Sequence, residues 1–257
     1  MTIEWVQVVA SLALVGVAVG LSFWKGLGVE GSIVWAATRA AGQLLAVGLL
    51  FELIFESAGS MIWAWVWVIG MLLVSVETVG RRAKKIPNVR IGALGALGGA
   101  LMISLGVVFG FGVFEMDPVT LVVIAGITLG NTMPSAVLGV DTAANGFTDN
   151  PQRTEGLLAL GMTVSGAGRP VAQEAVRRAL IPQIERTKVV GLIALPGAMT
   201  GMLLAGADAM SAVLVQMVIM YLVLGSVAIA VVVVVTVIAS QAFTSDARLE
   251  DWVTQQG

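Results

Sequence analysis

The chain of 257 residues contains no cysteine and no histidine. Without cysteine it has no disulfide, no thiolate metal site and no cysteine nucleophile. Without histidine it lacks the commonest general base and the commonest metal ligand. These absences argue against an enzyme and against a resident cofactor. Any metal that the chain handles must contact carboxylates, amides, hydroxyls, carbonyls or thioether sulfur.

Charged residues are also scarce. They make up 12% of the chain, and hydrophobic residues make up 58%, whereas about a quarter of the residues of a soluble domain are charged. The net charge of −2 gives no basic surplus that would indicate nucleic-acid binding. A soluble fold of this size could not bury so much apolar surface, so the sequence predicts that lipid surrounds much of the chain.

Seven apolar runs approach or exceed the length of about 20 residues that a helix needs to cross a bilayer. Their residues do not alternate between apolar and polar, which excludes the strands of a membrane barrel. The sequence therefore predicts an all-α bundle of seven spans that forms a single transmembrane domain over residues 1–257. The predicted spans are 3–24, 33–55, 61–79, 91–114, 119–140, 189–204 and 210–240.

The basic residues predict the orientation of this bundle. Thirteen of the fourteen lie in connections on one side of the seven-span arrangement, and the fourteenth, Arg39, lies within the second span. Because basic connections stay in the cytoplasm, the N-terminus is predicted outside and the C-terminus inside. The opposite connections carry only acidic residues, which are Glu56, Glu115, Asp117 and Asp208.

The longest connection, residues 141–188, is predicted to be a cytoplasmic segment with two short helices. Asn150 followed by Pro151 is typical of a helix start, and the glycines of SGAG at 165–168 are expected to end that helix before a second begins at Pro170. Such a segment suits either docking of a partner protein or binding to the inner leaflet. The sequence has no GxxxxGK[ST] loop for ATP phosphates.

Arg39 and Gln43 are the first candidates for a transport path, because charged residues within a span usually face the bundle interior or a cavity. Gln43 follows Arg39 by four residues and shares its helical face. The pair is either a gate or counter-ion on the path, or a structural lock in which Arg39 pairs with Glu77 or with carbonyls of a neighbouring helix. The sequence leaves both open.

Further candidates surround Pro134 in the fifth span and Pro196 in the sixth. Proline removes a backbone hydrogen bond, and broken helices with polar neighbours commonly build transport sites. Methionine sulfur suits a soft transition metal, although packing is its commoner use. The candidates in this group are Asn131, Thr132, Pro196, Met199, Thr200 and Met202.

Span four also carries two pairs of glycines at the small-xxx-small spacing that lets helix backbones approach closely. These pairs are Gly95 with Gly99 and Gly106 with Gly110. Their expected use is helix packing within one chain.

Five segments of the chain together resemble the iron-export permease family of ABC transporters, which includes FetB and plant aluminium-tolerance membrane subunits. The resemblance extends from Arg39 to the end of the last span, and the LPGxMTG stretch is its most distinctive part. One departure is Met202, where the family commonly has glutamine. The segments are 39–45 (RAAGQLL), 130–135 (GNTMPS), 155–161 (EGLLALG), 177–182 (RRALIP) and 190–201 (VGLIALPGAMTG).

The resemblance implies a permease subunit that forms a homodimer, pairs with separate ATPase subunits and exports iron or another metal across the bacterial or archaeal cytoplasmic membrane. ATP would be used by the partner and not by this chain. The alternative is a secondary transporter or channel that acts without an ATPase. The resemblance also implies that the ATPase couples to the chain through Glu155, Leu160, Gly161, Arg177, Arg178 and Pro182.

Overall fold

The computed structural model describes residues 5–55, 60–83 and 86–254, which form helices and no strand beyond isolated bridges. The chain comprises two compact units, Met1–Ser60 and Met61–Gly257. The helices are α1 (Trp5–Lys25), α2 (Glu30–Phe55), α3 (Ser60–Arg82), α4 (Val89–Gly110), α5 (Pro118–Thr148), α6 (Pro151–Ala159), α7 (Val164–Lys188), α8 (Gly197–Leu204), α9 (Ala209–Ser240) and α10 (Asp251–Thr254).

The first unit is a hairpin of α1 and α2. Gly26 and Gly28 adopt positive φ angles of 62° and 69° in the connection, a conformation that glycine reaches without a steric penalty. The Ser22 hydroxyl donates a 2.7 Å hydrogen bond to the Glu30 carboxylate across the same turn. The two glycines and the hydrogen bond between Ser22 and Glu30 therefore stabilise the turn between α1 and α2.

The second unit is built around α9, which packs against α4, α5 and α7. Helix α4 runs antiparallel to α9, because Gly92 lies against Val237 and the buried hydroxyls of Ser104 and Ser226 are hydrogen-bonded at 2.5 Å. Small residues at these contacts let the apolar faces approach closely.

Helix α7 runs antiparallel to α5 along much of its length. Gly146 of α5 lies against Val171, and Gly139 lies near Ala179. Ala175 and Ala179 of α7 are fully buried, as expected for the apolar stripe of an amphipathic helix. This pairing brings the C-terminal end of α7 alongside the middle of α5.

Five helices of the described residues are long and apolar enough to cross a membrane, which agrees with predicted spans two, three, four, five and seven. The described part of the first predicted span is a shorter apolar helix, Val9–Lys25. Helices α5 and α9 have 31 and 32 residues. At 1.5 Å per residue they are about 46 Å long and exceed a hydrocarbon core of about 30 Å.

The sixth predicted span, residues 189–204, is not a continuous helix. Residues 189–196 form turns, and α8 covers only the eight residues Gly197–Leu204. Gly191 adopts φ +89°, and Pro196 stands at the N-cap of α8, so each residue interrupts helical geometry. The kink expected at Pro196 is thus a complete break, whereas α5 continues through Pro134.

The segment 141–188 also differs from its prediction. Residues 141–148 continue α5, and Asn150 caps α6 by accepting a 3.2 Å hydrogen bond from the N–H of Arg153, as its position before Pro151 predicts. The break predicted at 165–168 is wrong. It falls at residues 160–163, and α7 runs from Val164 through Pro170 and Pro182, because the hydroxyl of Thr163 caps the N–H of Gly166.

Beyond α9 the chain folds back onto the end of α5. Ala242, Phe243, Leu249 and Val253 form a buried cluster with Phe147 and Ala167, and Leu157 and Leu158 of α6 pack against it. Hence the end of α6, the start of α7 and the C-terminal segment share one small core.

Candidate functional site

A cavity of about 170 Å³ lies where α5, α7, α8 and α9 meet. It combines an apolar wall with three amide side chains and one guanidinium, the pattern of small-ligand sites in helical bundles. Its lining residues are Ile127, Asn131, Gln183, Arg186, Pro196, Gly197, Ala198, Gln216, Ile219, Met220 and Val223.

A hydrogen bond between Arg186 and Asn131 joins α7 to α5 at this cavity. The Nη1 group of Arg186 donates to Oδ1 of Asn131 over 3.1 Å. The Nδ2 group of Asn131 donates to the carbonyl of Ile127 over 2.7 Å. The Asn131 amide is therefore oriented on both sides, and its oxygen holds the guanidinium at the cavity.

Two glutamines add buried amides. Gln216 is only 4% exposed, and its Oε1 atom has no hydrogen-bond partner among the described residues. Gln183 is 6% exposed, and its amide donates a long 3.4 Å hydrogen bond to Thr187. Burying an amide without a partner costs free energy, so Gln216 offers an unused polar atom to a ligand in the cavity.

Arg186 alone carries a charge among the described residues that line the cavity. The neighbouring Glu185 forms a 2.8 Å ion pair with Lys188. The described residues contain no group of three or more carboxylates that could hold a metal ion. The side chains of the lining that could offer oxygen to a metal here are the amides of Asn131, Gln183 and Gln216.

The structure brings two of the predicted path residues, Asn131 and Pro196, to the cavity. The hydroxyl of Thr132 donates to the carbonyl of Thr128 over 2.9 Å, and that of Thr200 donates to the carbonyl of Gly197 over 3.0 Å, so each is used within its own helix. The lining does not include Thr132, Met199, Thr200 and Met202.

Arg39 and Gln43 lie one turn apart on α2, and both are exposed in the hairpin unit. Glu77, a possible partner of Arg39 by sequence, forms ion pairs with Arg81 at 3.0 Å and with Arg90 at 2.8 Å within the second unit. These two pairs tie the end of α3 to the start of α4.

Sequence reasoning placed Arg186 in the connection 141–188, and the structure places it within α7, beside Asn131 near the middle of α5. Along α5, Asn131 is about 25 Å from the last residue of the helix. The sequence signal that was available is the uninterrupted helical stretch before Gly191, which carries Gln183 and Arg186 on adjoining turns.

A second candidate site is the turn between α6 and α7. The N–H of Met162 donates to the carbonyl of Leu157, and the N–H of Gly161 donates to that of Leu158. This is a Schellman motif, with Gly161 at φ +86° in the left-handed position that favours glycine. The spacing from Glu155 to Gly161 therefore corresponds to a helix with its terminating turn.

The tip of this hairpin exposes apolar side chains. Leu160 is 83% exposed and Met162 is 44% exposed. Glu155 lies on the exposed side of α6. Exposed apolar residues that are grouped on a protein surface are typical of a contact surface for another protein.

The other predicted coupling residues lie away from this tip on α7. Arg178 pairs with Glu174 at 2.5 Å and lines a separate polar cleft of about 380 Å³ at the root of the hairpin. Pro182 is further along, about 27 Å from the start of α7 at 1.5 Å per residue. The structure thus separates Glu155, Leu160 and Gly161 from Arg177, Arg178 and Pro182.

Comparison with known proteins places these features in a family context. Residues 5–243 match the family described as "Uncharacterised protein family (UPF0014)". No solved structure matches the chain.

Three relatives are similar over most of their length. The UPF0014 membrane protein slr1647 of Synechocystis sp. is 32% identical over 96% of both chains. Protein ALUMINUM SENSITIVE 3 of Arabidopsis thaliana is 31% identical over 86% of this chain and 81% of its own. The probable iron export permease protein FetB of Escherichia coli is 28% identical over 87% of this chain and 86% of its own. These relatives confirm the resemblance drawn from the sequence segments.

Proposed function

We propose that this multi-pass membrane protein, which belongs to the UPF0014 family, is the permease subunit of an ABC transporter that exports a metal. Two copies would pair with two separate ATPase subunits, which bind and hydrolyse ATP. The relative named a probable iron export permease makes iron the first metal to test.

The observation that carries the proposal is the exposed apolar tip of the α6–α7 hairpin. Leu160 would be costly to leave in water, since burying a leucine side chain is worth about 1.5–3 kcal/mol. The tip lies at the end of the second unit where α5 ends and α7 begins, the end that also carries Arg81, Arg82 and Arg248. Basic residues favour the cytoplasmic side, where an ATPase subunit would be found.

The same arrangement supports seven crossings with the N-terminus outside. Helix α7, the turns at 189–196 and α8 together lead the chain from the basic end of the unit to the start of α9 near the acidic end. In this proposal they form one broken crossing. Irregular backbone at membrane depth is tolerated where protein covers it or where it lines a cavity.

Helix α7 would transmit movement between the ATPase and the cargo site. Its 25 residues begin beside the hairpin tip and end just after Arg186, a distance of about 37 Å. Displacement of the tip when the ATPases close would therefore move Arg186 relative to Asn131. This is a shift of a rigid element of the kind that switches access in transporters.

The test is co-purification of the chain with the ABC ATPase encoded beside it. Replacing Leu160 by Asp should weaken the complex by about tenfold or more, because a charge would replace the leucine side chain that the ATPase buries in the complex. The matched control is Met116→Asp, which changes an exposed apolar residue (52% exposed) at the opposite end of the bundle and should leave the complex intact.

ATP-dependent metal export in vesicles completes the test. Export that requires ATP and is lost with Leu160→Asp supports the ABC permease. Metal flux that follows an ion gradient without ATP, in a chain that binds no ATPase, would instead establish the secondary transporter or channel.

A further inference from the structure

We propose that the cavity around Arg186 binds a small carboxylate anion, either alone or as the chelator of an exported metal. The inference rests on the proposed function only in taking this cavity as the cargo site. It differs from that proposal in naming the charge of what binds. A bare metal cation is not the species that these residues select.

The charge of the lining is the first argument. The guanidinium of an arginine carries a positive charge, and no carboxylate stands among the described residues that line the cavity with Arg186. The adjacent Glu185 is engaged by Lys188 at 2.8 Å, so it does not neutralise Arg186. A bare cation would meet a like charge within a few ångströms, whereas an anion would meet its counter-ion.

The hydrogen-bonding capacity of the lining is the second argument. The guanidinium has five N–H donors in a planar fork that matches carboxylate and phosphate oxygens. One nitrogen, Nη1, is hydrogen-bonded to Asn131 and is thereby positioned. The other donors supply the groups that an oxygen anion needs.

Gln216 supplies an independent third argument. Its residue surface is only 4% exposed, it lines the cavity, and its Oε1 atom has no hydrogen-bond partner in the part of the chain that the structure describes. A hydroxyl or a chelated metal on the bound anion could occupy that acceptor while the carboxylate contacts Arg186. An anion that carries a hydroxyl group or a metal therefore contacts both the Arg186 guanidinium and the Oε1 atom of Gln216.

The size of the cavity limits the ligand. At about 170 Å³ it is smaller than the roughly 300–1,000 Å³ of pockets for drug-sized ligands. A compact hydroxycarboxylate such as citrate is a suitable probe, because it carries the carboxylates, the hydroxyl and the ability to chelate iron.

The experiment measures binding of radiolabelled citrate, ferric citrate and ferrous chloride to the purified full-length chain. Wild type should bind at least one citrate form, and Arg186→Gln should weaken that binding by about tenfold or more, the effect of a charged hydrogen bond. Arg169→Gln, the same change on the same helix about 25 Å away, should stay within about twofold of wild type. Binding of citrate without iron identifies a free anion, and binding of ferric citrate alone identifies a chelate.

A second variant separates the site from the fold. Arg186→Lys retains the positive charge without the planar fork, so it should bind citrate more weakly than wild type and more tightly than Arg186→Gln. Ferrous iron that binds wild type and Arg186→Gln equally, with no citrate binding to wild type, overturns the inference. Binding of citrate that is unchanged in Arg186→Gln overturns it as well.

The outcomes also distinguish the two proposals. If the chain associates with an ATPase and exports iron while citrate never binds, the proposed function stands and the anion site is wrong. If citrate binds through Arg186 but no ATPase associates, the anion site stands and the ABC permease is wrong.

Discussion

The ring of Phe147 meets the ring of Phe243 edge to face, with 5.9 Å between centroids and an interplanar angle of 87°. Phe147 lies in the last turn of α5, and Phe243 follows α9. Trp252 makes a second edge contact with Phe147 at 6.4 Å and donates its indole N–H to the carbonyl of Gln241. The C-terminal segment is thus anchored to the last turn of α5.

Phe147→Ala should destabilise this end of the protein strongly. The side chain is fully buried, and truncation of a buried phenylalanine costs about 3–5 kcal/mol through lost burial and the cavity left behind. Thermal unfolding of the purified protein measures the loss as a lowered Tm. Phe111→Ala, at a residue that is 82% exposed, is the control and should change Tm little. Equal losses in the two variants would contradict the burial argument.

A glycine contact makes a sharper test of packing between α4 and α9. A Cβ added at Gly92 would lie 2.6 Å from Cγ1 of Val237, whereas one added at Gly95 would meet nothing within 4 Å. Gly92→Ala should therefore cost about 1–3 kcal/mol through overpacking, and Gly95→Ala should be neutral or mildly stabilising because alanine favours helix. Denaturant titration of both variants measures the difference. A stable Gly92→Ala variant would contradict the close approach.

The sequence predicted close packing of α4 but not the glycine at which it occurs. The pattern of small residues predicted close packing at Gly95 and Gly99, but the pattern cannot say which face of α4 meets α9. The structure places the close contact at Gly92. Hydropathy predicted the long apolar helices well, since their lengths and composition depend only on local sequence.

The candidate site was predicted only in part for a related reason. Asn131 was found because polar residues within an apolar span are costly and therefore conspicuous. Arg186 was missed because a charged residue in a polar stretch reads as solvated, and only the tertiary pairing of α7 with α5 brings it to Asn131. Gly191 and Pro196 predicted an interruption before α8. The backbone geometry of both residues shows that the helix is fully broken there.

The acidic caps of α5 and α9 predict a pH dependence of stability. The hydroxyl of Thr120, and then its N–H and that of Val119, lower the pKa of Asp117. The N–H of Ser211, and then its hydroxyl, lower the pKa of Asp208. A lowered folded-state pKa adds stability that is present above the unfolded value of about 4 and is lost as pH falls through the folded value.

Tm should therefore change little between about pH 7 and 5 from these two groups and should fall below about pH 4. The double variant Asp117→Asn with Asp208→Asn keeps a capping oxygen at each helix and removes both titrations. It should lose less stability than wild type over the acidic range. An identical acid profile in the variant would show that the caps do not contribute.

Replacement of Gln216 tests whether the cavity is a ligand site or a packing defect. An amide that is buried without a partner costs about 1–3 kcal/mol, so Gln216→Leu, which keeps similar bulk and removes the unpaired oxygen, should leave Tm unchanged or raised. If the amide serves the ligand, the same variant should lose citrate or ferric citrate binding. Gln173→Leu, at an exposed position of α7, should alter neither.

Stability and binding that move in opposite directions are the signature of a residue retained for function at the expense of the fold. If Gln216→Leu lowers both Tm and ligand binding, the amide is a structural group, and its oxygen has a partner within the protein. If it raises Tm and leaves binding intact, the anion contacts Arg186 without Gln216. Measuring both quantities on one preparation separates these outcomes, because a binding loss alone cannot distinguish a missing ligand contact from a collapsed cavity.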